Sequence, residues 1–136
     1  MAEGLEPVVQ VLRDGGTVVL PTDTLYGVAV RADLPGAVDA LAAIKERAAE
    51  QPVAVLVAGT RQAEQVGELP DWARPLAERW WPGPLTLVLR RRAGLDWDLG
   101  EPVATVGVRV PDHDLVRALA AAVGPLATTS ANRHGR

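Results

Sequence analysis

A chain of 136 residues with 48% hydrophobic content supports one domain with a real core and is too short for two. It has no cysteine, and its two histidines, His113 and His134, stand apart with no ligand spacing, which excludes a disulfide framework and argues against structural zinc. A net charge of −3 speaks against coating nucleic acid through charge alone, and no leader pattern or membrane-length apolar run is present, so the sequence reads as cytoplasmic with no membrane contact.

In chain order, Leu5, Val8, Val9 and Leu12 fall at i, i+3, i+4 and i+7, and Gly15-Gly16 stops the pattern, which predicts a short amphipathic helix. Thr17–Leu20 predicts a strand that breaks at Pro21 into three oxygen-bearing side chains, Thr22, Asp23 and Thr24. Val28–Val30 reads as another strand. Val38, Leu41 and Ile44 after Pro35 predict a second helix, with Lys45 and Arg47 in its last turn where cations complement the helix dipole. Pro52–Val57 is a near-continuous apolar run, expected of a strand buried on both faces. A helix over "TRQAEQVGEL" follows. Trp72, Leu76 and Trp80 share a helical stripe that "WPGP" ends before a strand at Leu85–Leu89. A further strand runs from Val103 or Thr105 to Val110. Asp112 is placed to cap a helix carrying Leu115, Val116, Leu119 and Val123, and Leu126–Thr129 reads as a last strand. The alternation predicts an α/β fold, a single domain with one twisted mixed sheet flanked by helices, in which ligands bind beyond strand ends. The glycines form neither a P-loop nor a GxGxxG fingerprint.

Each conspicuous stretch has an ordinary reading when taken singly. Pro21-Thr22-Asp23-Thr24 is turn chemistry, Lys45-x-Arg47 a solvated helix end, and Ser130-Ala131-Asn132 a cap or Asx-turn. Arg90-Arg91-Arg92 reads as a solvated strand end, and Trp72, Trp80 and Trp81 as core and groove wall rather than a base-stacking platform. His113 reads as a helix-start residue.

The order decides more than the parts. PTDTLYG, then Lys45-x-Arg47, then "WWPGPLTLVL", "TVGVRVPDH" and "TTSAN" closely resembles the YrdC-like domain of the threonylcarbamoyl-AMP synthases, from about Leu12 to the final residue. That resemblance implies the YrdC-like fold. It also implies a nucleotidyltransferase reaction in which L-threonine and bicarbonate give a carbamate, and the carbamate attacks the α-phosphate of Mg²⁺-bound ATP to yield threonylcarbamoyl-AMP and pyrophosphate. Partner proteins would then transfer the group to an adenosine of tRNA. The resemblance puts Lys45, Arg47, Ser130 and Asn132 on the nucleotide, with Thr105 beside them and Lys45 and Arg47 as the catalytic cations. Thr24, Arg109 and Thr128 would hold threonine, and no protein side chain is assigned to the metal.

Elementary chemistry agrees with this assignment. Adenylylation must neutralise triphosphate charge and the charge developing at the α-phosphate, which two cations and Mg²⁺ do without a covalent nucleophile. Lys45 and Arg47, at i and i+2, diverge on a regular helix, so the chain is expected to leave the helix between them. Arg109 offers a planar fork suited to an amino-acid carboxylate.

Three features depart from the family pattern. Ala48 and Gln51 stand where many relatives have a proline and a second lysine, Leu56 stands where some have a histidine, and family domains continue beyond the SAN motif whereas this chain ends at Arg136. The expectation is a domain over 1–136 lacking its C-terminal part. Two other functions share the pattern: a module that forms a carbamoyl adenylate without threonine, and a non-catalytic double-stranded RNA-binding domain, with tRNA or duplex RNA as partner.

Overall fold

The computed structural model describes residues 5–21, 26–37, 39–41, 53–99 and 104–130. The apolar spacing near the start builds α1 (Leu5–Arg13), which buries Leu5, Val9 and Leu12. It stops at Gly15, whose φ of 86° lies in the left-handed region where a side chain is strained, and where a Cβ would also sit 3.1 Å from Leu34. Strand β1 (Val18–Pro21) then pairs antiparallel with β2 (Tyr26–Arg31), from Val18 opposite Ala29 to Pro21 opposite Tyr26. Residues 37 and 39–41 are helical, with Ala37 and Leu41 buried, as the pattern after Pro35 predicts. The continuation of that helix through Lys45 and Arg47 lies outside the described residues.

The remaining elements are β3 (Ala54–Leu56), α2 (Thr60–Val66), α3 (Ala73–Trp80), β4 (Leu87–Arg90), β5 (Thr105–Arg109), α4 (Asp114–Val123) and β6 (Leu126–Ser130). Among the described residues six strands form one sheet in the order β1-β2-β6-β3-β5-β4, in which β3 and β5 run parallel and the other neighbours antiparallel. The mixed sheet flanked by helices is therefore observed. Its consequence for ligand placement differs from the expectation, because antiparallel neighbours put strand C-termini at both ends of the sheet. The ends of β1 and β6 share one margin, and the end of β5 lies at the other.

Strand alternation divides the apolar side chains between two cores. On one face, Val28, Val30, Val55, Val57, Val106, Val108, Leu87 and Leu89 pack with Val66, Ala73, Ala77 and Trp81. On the other, Leu20, Ala29, Leu56 and Leu126 pack beneath Leu5, Val9 and Leu12 of α1 and Val116, Leu119 and Ala120 of α4. Gln62 ties the layers together, accepting from the Ala58 N–H at 2.7 Å and donating to the Ala120 carbonyl at 2.9 Å.

Two sequence readings are corrected, and a third holds in part. The stripe of Trp72, Leu76 and Trp80 faces outward, with Trp72 61% and Trp80 52% exposed, and Ala73 and Ala77 are the buried side of α3. Periodicity identifies a face but not which face meets the sheet, and small alanines let the helix approach closely. Only Trp81 of these three tryptophans belongs to the core. The residue at the start of α4 is His113, in extended backbone with no side-chain cap hydrogen bond, rather than Asp112. In the arginine triplet Arg90 and Arg92 are exposed, as a solvated strand end predicts, and Arg91 is partly buried. Arg91 Nε donates to the Thr105 carbonyl at 2.7 Å, and Arg92 Nε to the Glu64 carbonyl at 2.5 Å.

Candidate functional site on the open half of the sheet

Among the described residues, α1 and α4 cover only half of their face of the sheet. Toward β5 and β4 the register row runs from Thr128 through Ala54 and Gly107 to Val88, and Val88 is 62% exposed. These are small side chains followed by an uncovered one. A glycine in a strand interior weakens the strand, and it recurs where a ligand or another chain segment comes close to the backbone. A Cβ at position 107 would stand 3.2 Å from Thr86 Cγ2. Thr105 and Arg109 flank Gly107 on the same face, one at each end of β5.

Arg109 is half-buried at the margin of this strip. Its Nε donates to the Gly83 carbonyl at 3.2 Å, and desolvation by burial lowers its pKa from the usual value. Arginine stays protonated through neutral pH even so, which makes it a fixed cation in a partly dried site. Thr128 is 8% exposed, and its hydroxyl donates to the Val28 carbonyl at 2.9 Å. One hydroxyl has one proton, so with that proton committed the oxygen can only accept from a ligand. Two strand spacings across and two residues along the sheet put the Arg109 and Thr128 Cα atoms about 12 Å apart, a span that a small amino acid reaching both side chains fills. Leu56, in register with Arg109 and Leu126, is buried under the helices, so this position contributes packing and no polar group.

At the other end of β5 a cavity of about 300 Å³ is lined by Val53, Ala54, Val88, Leu99, Thr105, Val106 and Gly107. Among these residues Thr105 has the one polar side chain. Ser130, whose backbone is paired with Gly27, lies at this same end, because two steps back along β5 equal two steps forward along β6. The structure thus brings Thr105, Arg109 and Thr128 onto one strip with Ser130 at its margin. Thr24, Lys45, Arg47 and Asn132 lie outside the described residues. Sequence reasoning missed Gly107 and Ala54 as the floor of the site, although a glycine inside "TVGVR" was the available signal.

A profile of the Sua5, YciO and YrdC proteins, described as telomere recombination, matches residues 10–136. The chain belongs to the Sua5/YciO/YrdC family. A Mycobacterium leprae protein provisionally named threonylcarbamoyl-AMP synthase is 42% identical over 136 residues, covering 99% of this chain and 62% of that protein. The human threonylcarbamoyl-AMP synthase is 38% identical over 136 residues, covering 96% of this chain and 47% of its own length. Among solved structures, the Pyrococcus abyssi Sua5 complexed with L-threonine superposes with a TM-score of 0.88 at 35% identity, over 96% of this chain and 39% of that one. The chain therefore spans less than two thirds of the family members it matches, and matches them over nearly all of its own length. A HypF structure at 19% identity and a TM-score of 0.82 shares the fold.

Proposed function

We propose that this chain is the adenylate-forming part of a threonylcarbamoyl-AMP synthase, acting on L-threonine, bicarbonate and ATP in the cytoplasm to supply tRNA-modifying transfer proteins. The observation that carries this reading is the open strip between Arg109 and Thr128, in a chain that superposes closely on a family member described with L-threonine. Arg109 takes the threonine carboxylate through its guanidinium fork. Thr128, able only to accept, takes an N–H of the amino group, and Thr24 contributes a hydroxyl from the segment after β1.

Bicarbonate loses hydroxide to give CO₂, the neutral amine nitrogen bonds to its carbon, and the proton the nitrogen gives up leaves with that hydroxide as water. A carbamate oxygen then bonds to the α-phosphorus, and the bond from that phosphorus to the bridging oxygen breaks, releasing pyrophosphate. Lys45 and Arg47 neutralise the charge that grows on the phosphates. Ser130 and Asn132 hold phosphate oxygens, and Thr105 faces the nucleotide from the cavity end of β5. Among the described residues no three Asp, Glu, His or Cys side chains cluster to hold a metal. Mg²⁺ would come with ATP as part of the substrate, held by phosphate oxygens and water.

The test is pyrophosphate release from ATP with L-threonine and bicarbonate present or withheld. Release that needs both supports the synthase. Release that continues without threonine replaces it with carbamoyl-adenylate formation. No release, with salt-sensitive binding of duplex RNA, replaces it with the RNA-binding function.

A further inference from the structure

The WPGP stretch marks this family in the sequence, yet the chemistry above leaves it without a part. We propose that Gly83, held in the Trp81–Pro84 turn, is a positioning residue that sets the rotation of the Arg109 guanidinium for the substrate carboxylate. The proposal rests on the reading of Arg109 as the carboxylate group's partner.

The turn is tied at both ends. Trp81 N–H donates to the Ala77 carbonyl at 2.9 Å, which anchors it to the last turn of α3. The Trp81 indole N–H donates to the Leu85 carbonyl at 2.8 Å with the ring packed into the core, which anchors it again on the approach to β4. Between these anchors Gly83 meets the end of β5 twice: its N–H donates to the Val110 carbonyl at 2.8 Å, and its carbonyl accepts from Arg109 Nε at 3.2 Å.

The second contact is the informative one. The N–H bond to Val110 already joins the turn to β5, and the carbonyl contact adds a constraint on a side chain. An arginine has four rotatable bonds, and a guanidinium held at Nε by a fixed backbone carbonyl loses the freedom to swing away from the strip. The turn also has no slack, because a Cβ on Gly83 would stand 2.5 Å from the Trp80 carbonyl oxygen. Any side chain at 83 moves the carbonyl that orients Arg109.

The experiment measures L-threonine and ATP affinities calorimetrically for Trp81→Phe and Gly83→Ala, each in the native chain and in an Arg109→Lys background, with circular dichroism as the check of fold. Lysine has no Nε–H in this geometry, so a residue acting through that group loses its effect there. In the native background both substitutions are expected to weaken L-threonine about three- to tenfold, the size of one constrained hydrogen bond, and to move ATP less than about twofold. In the Arg109→Lys background each should move L-threonine less than about twofold. Equal losses in both backgrounds, or no loss in the native one, overturn the positioning role. If Arg109→Lys alone leaves L-threonine affinity unchanged, the carboxylate reading of Arg109 is the part that fails, and the proposal falls with it. Should Gly83→Ala not fold, Trp81→Phe, which keeps an aromatic side chain but loses the indole N–H together with the five-membered ring, decides the matter through the comparison of the two backgrounds.

Discussion

One face of the sheet carries two different surfaces. Under α1 and α4 it is paved by Leu20, Leu56 and Leu126, each nearly or fully buried, whereas a few ångströms away it offers Ala54, Gly107 and an exposed Val88. Both halves belong to one sheet with the same alternation. The difference teaches that strand period decides which side chains share a face, and the size and polarity of those side chains decide which part of the face helices can cover. Large aliphatic groups draw a helix down because each buried leucine contributes roughly 1.5–3 kcal/mol of transfer free energy. A row of glycine, alanine and threonine offers much less apolar area and leaves room for a ligand.

Substitutions in each half sharpen that contrast, and the largest effect belongs to the covered half. Leu126→Ala removes a fully buried side chain between the sheet and its helices, and is expected to cost about 2–5 kcal/mol of stability in denaturant unfolding. The remaining folded protein should bind L-threonine normally. If it did not, the two halves would be coupled rather than separate.

In the open half, Arg109→Lys keeps the charge and loses the fork. L-threonine affinity is expected to fall by about 1–3 kcal/mol by calorimetry, with ATP affinity nearly unchanged. A loss confined to ATP would move Arg109 to the phosphates.

Thr128→Val keeps the shape and removes the hydroxyl that donates to the Val28 carbonyl. Thermal unfolding should show a loss of about 0.5–1.5 kcal/mol, and L-threonine binding a similar one, since in the proposed function the oxygen that serves the fold also serves the ligand. A stability loss with intact binding would restrict Thr128 to the fold. The smallest effect is expected at Val88→Thr, which lies on the exposed surface of an edge strand and should change stability by less than about 0.5 kcal/mol. A larger cost would show that something covers this half.

Much of the fold was legible because its signals are local. The 3.6-residue spacing around Leu5–Leu12 and Leu115–Val123, the apolar run at Val53–Val57 and the alternation in Thr105–Arg109 each predict an element that is observed. The site was legible in part. Arg109 and Thr128 stand out through a resemblance that covers the whole motif order, and the structure sets both on one strip. Gly107 and Ala54 did not stand out, since a glycine or an alanine has no chemistry of its own and gains a role only from what lies opposite, and Gly83 stood out as part of a motif without a role. The outward stripe of Trp72, Leu76 and Trp80 was misread for a related reason. Apolar periodicity ordinarily marks the buried side of a helix, and here Ala73 and Ala77 supply the contact instead.

By itself the sequence determined the alternation of helices and strands, the turn residues that end them, and the family through the order of its motifs, because each is a property of neighbours along the chain. The strand order, the parallel pairing of β3 with β5 and, among the described residues, the split of one sheet face into a covered and an open half were decided by tertiary structure. Pairing register brings Gly107, Ala54 and Thr128 into one row from three distant segments, and helix packing chooses which end of that row stays open. Both depend on contacts between residues far apart in sequence, for which no local pattern carries the information.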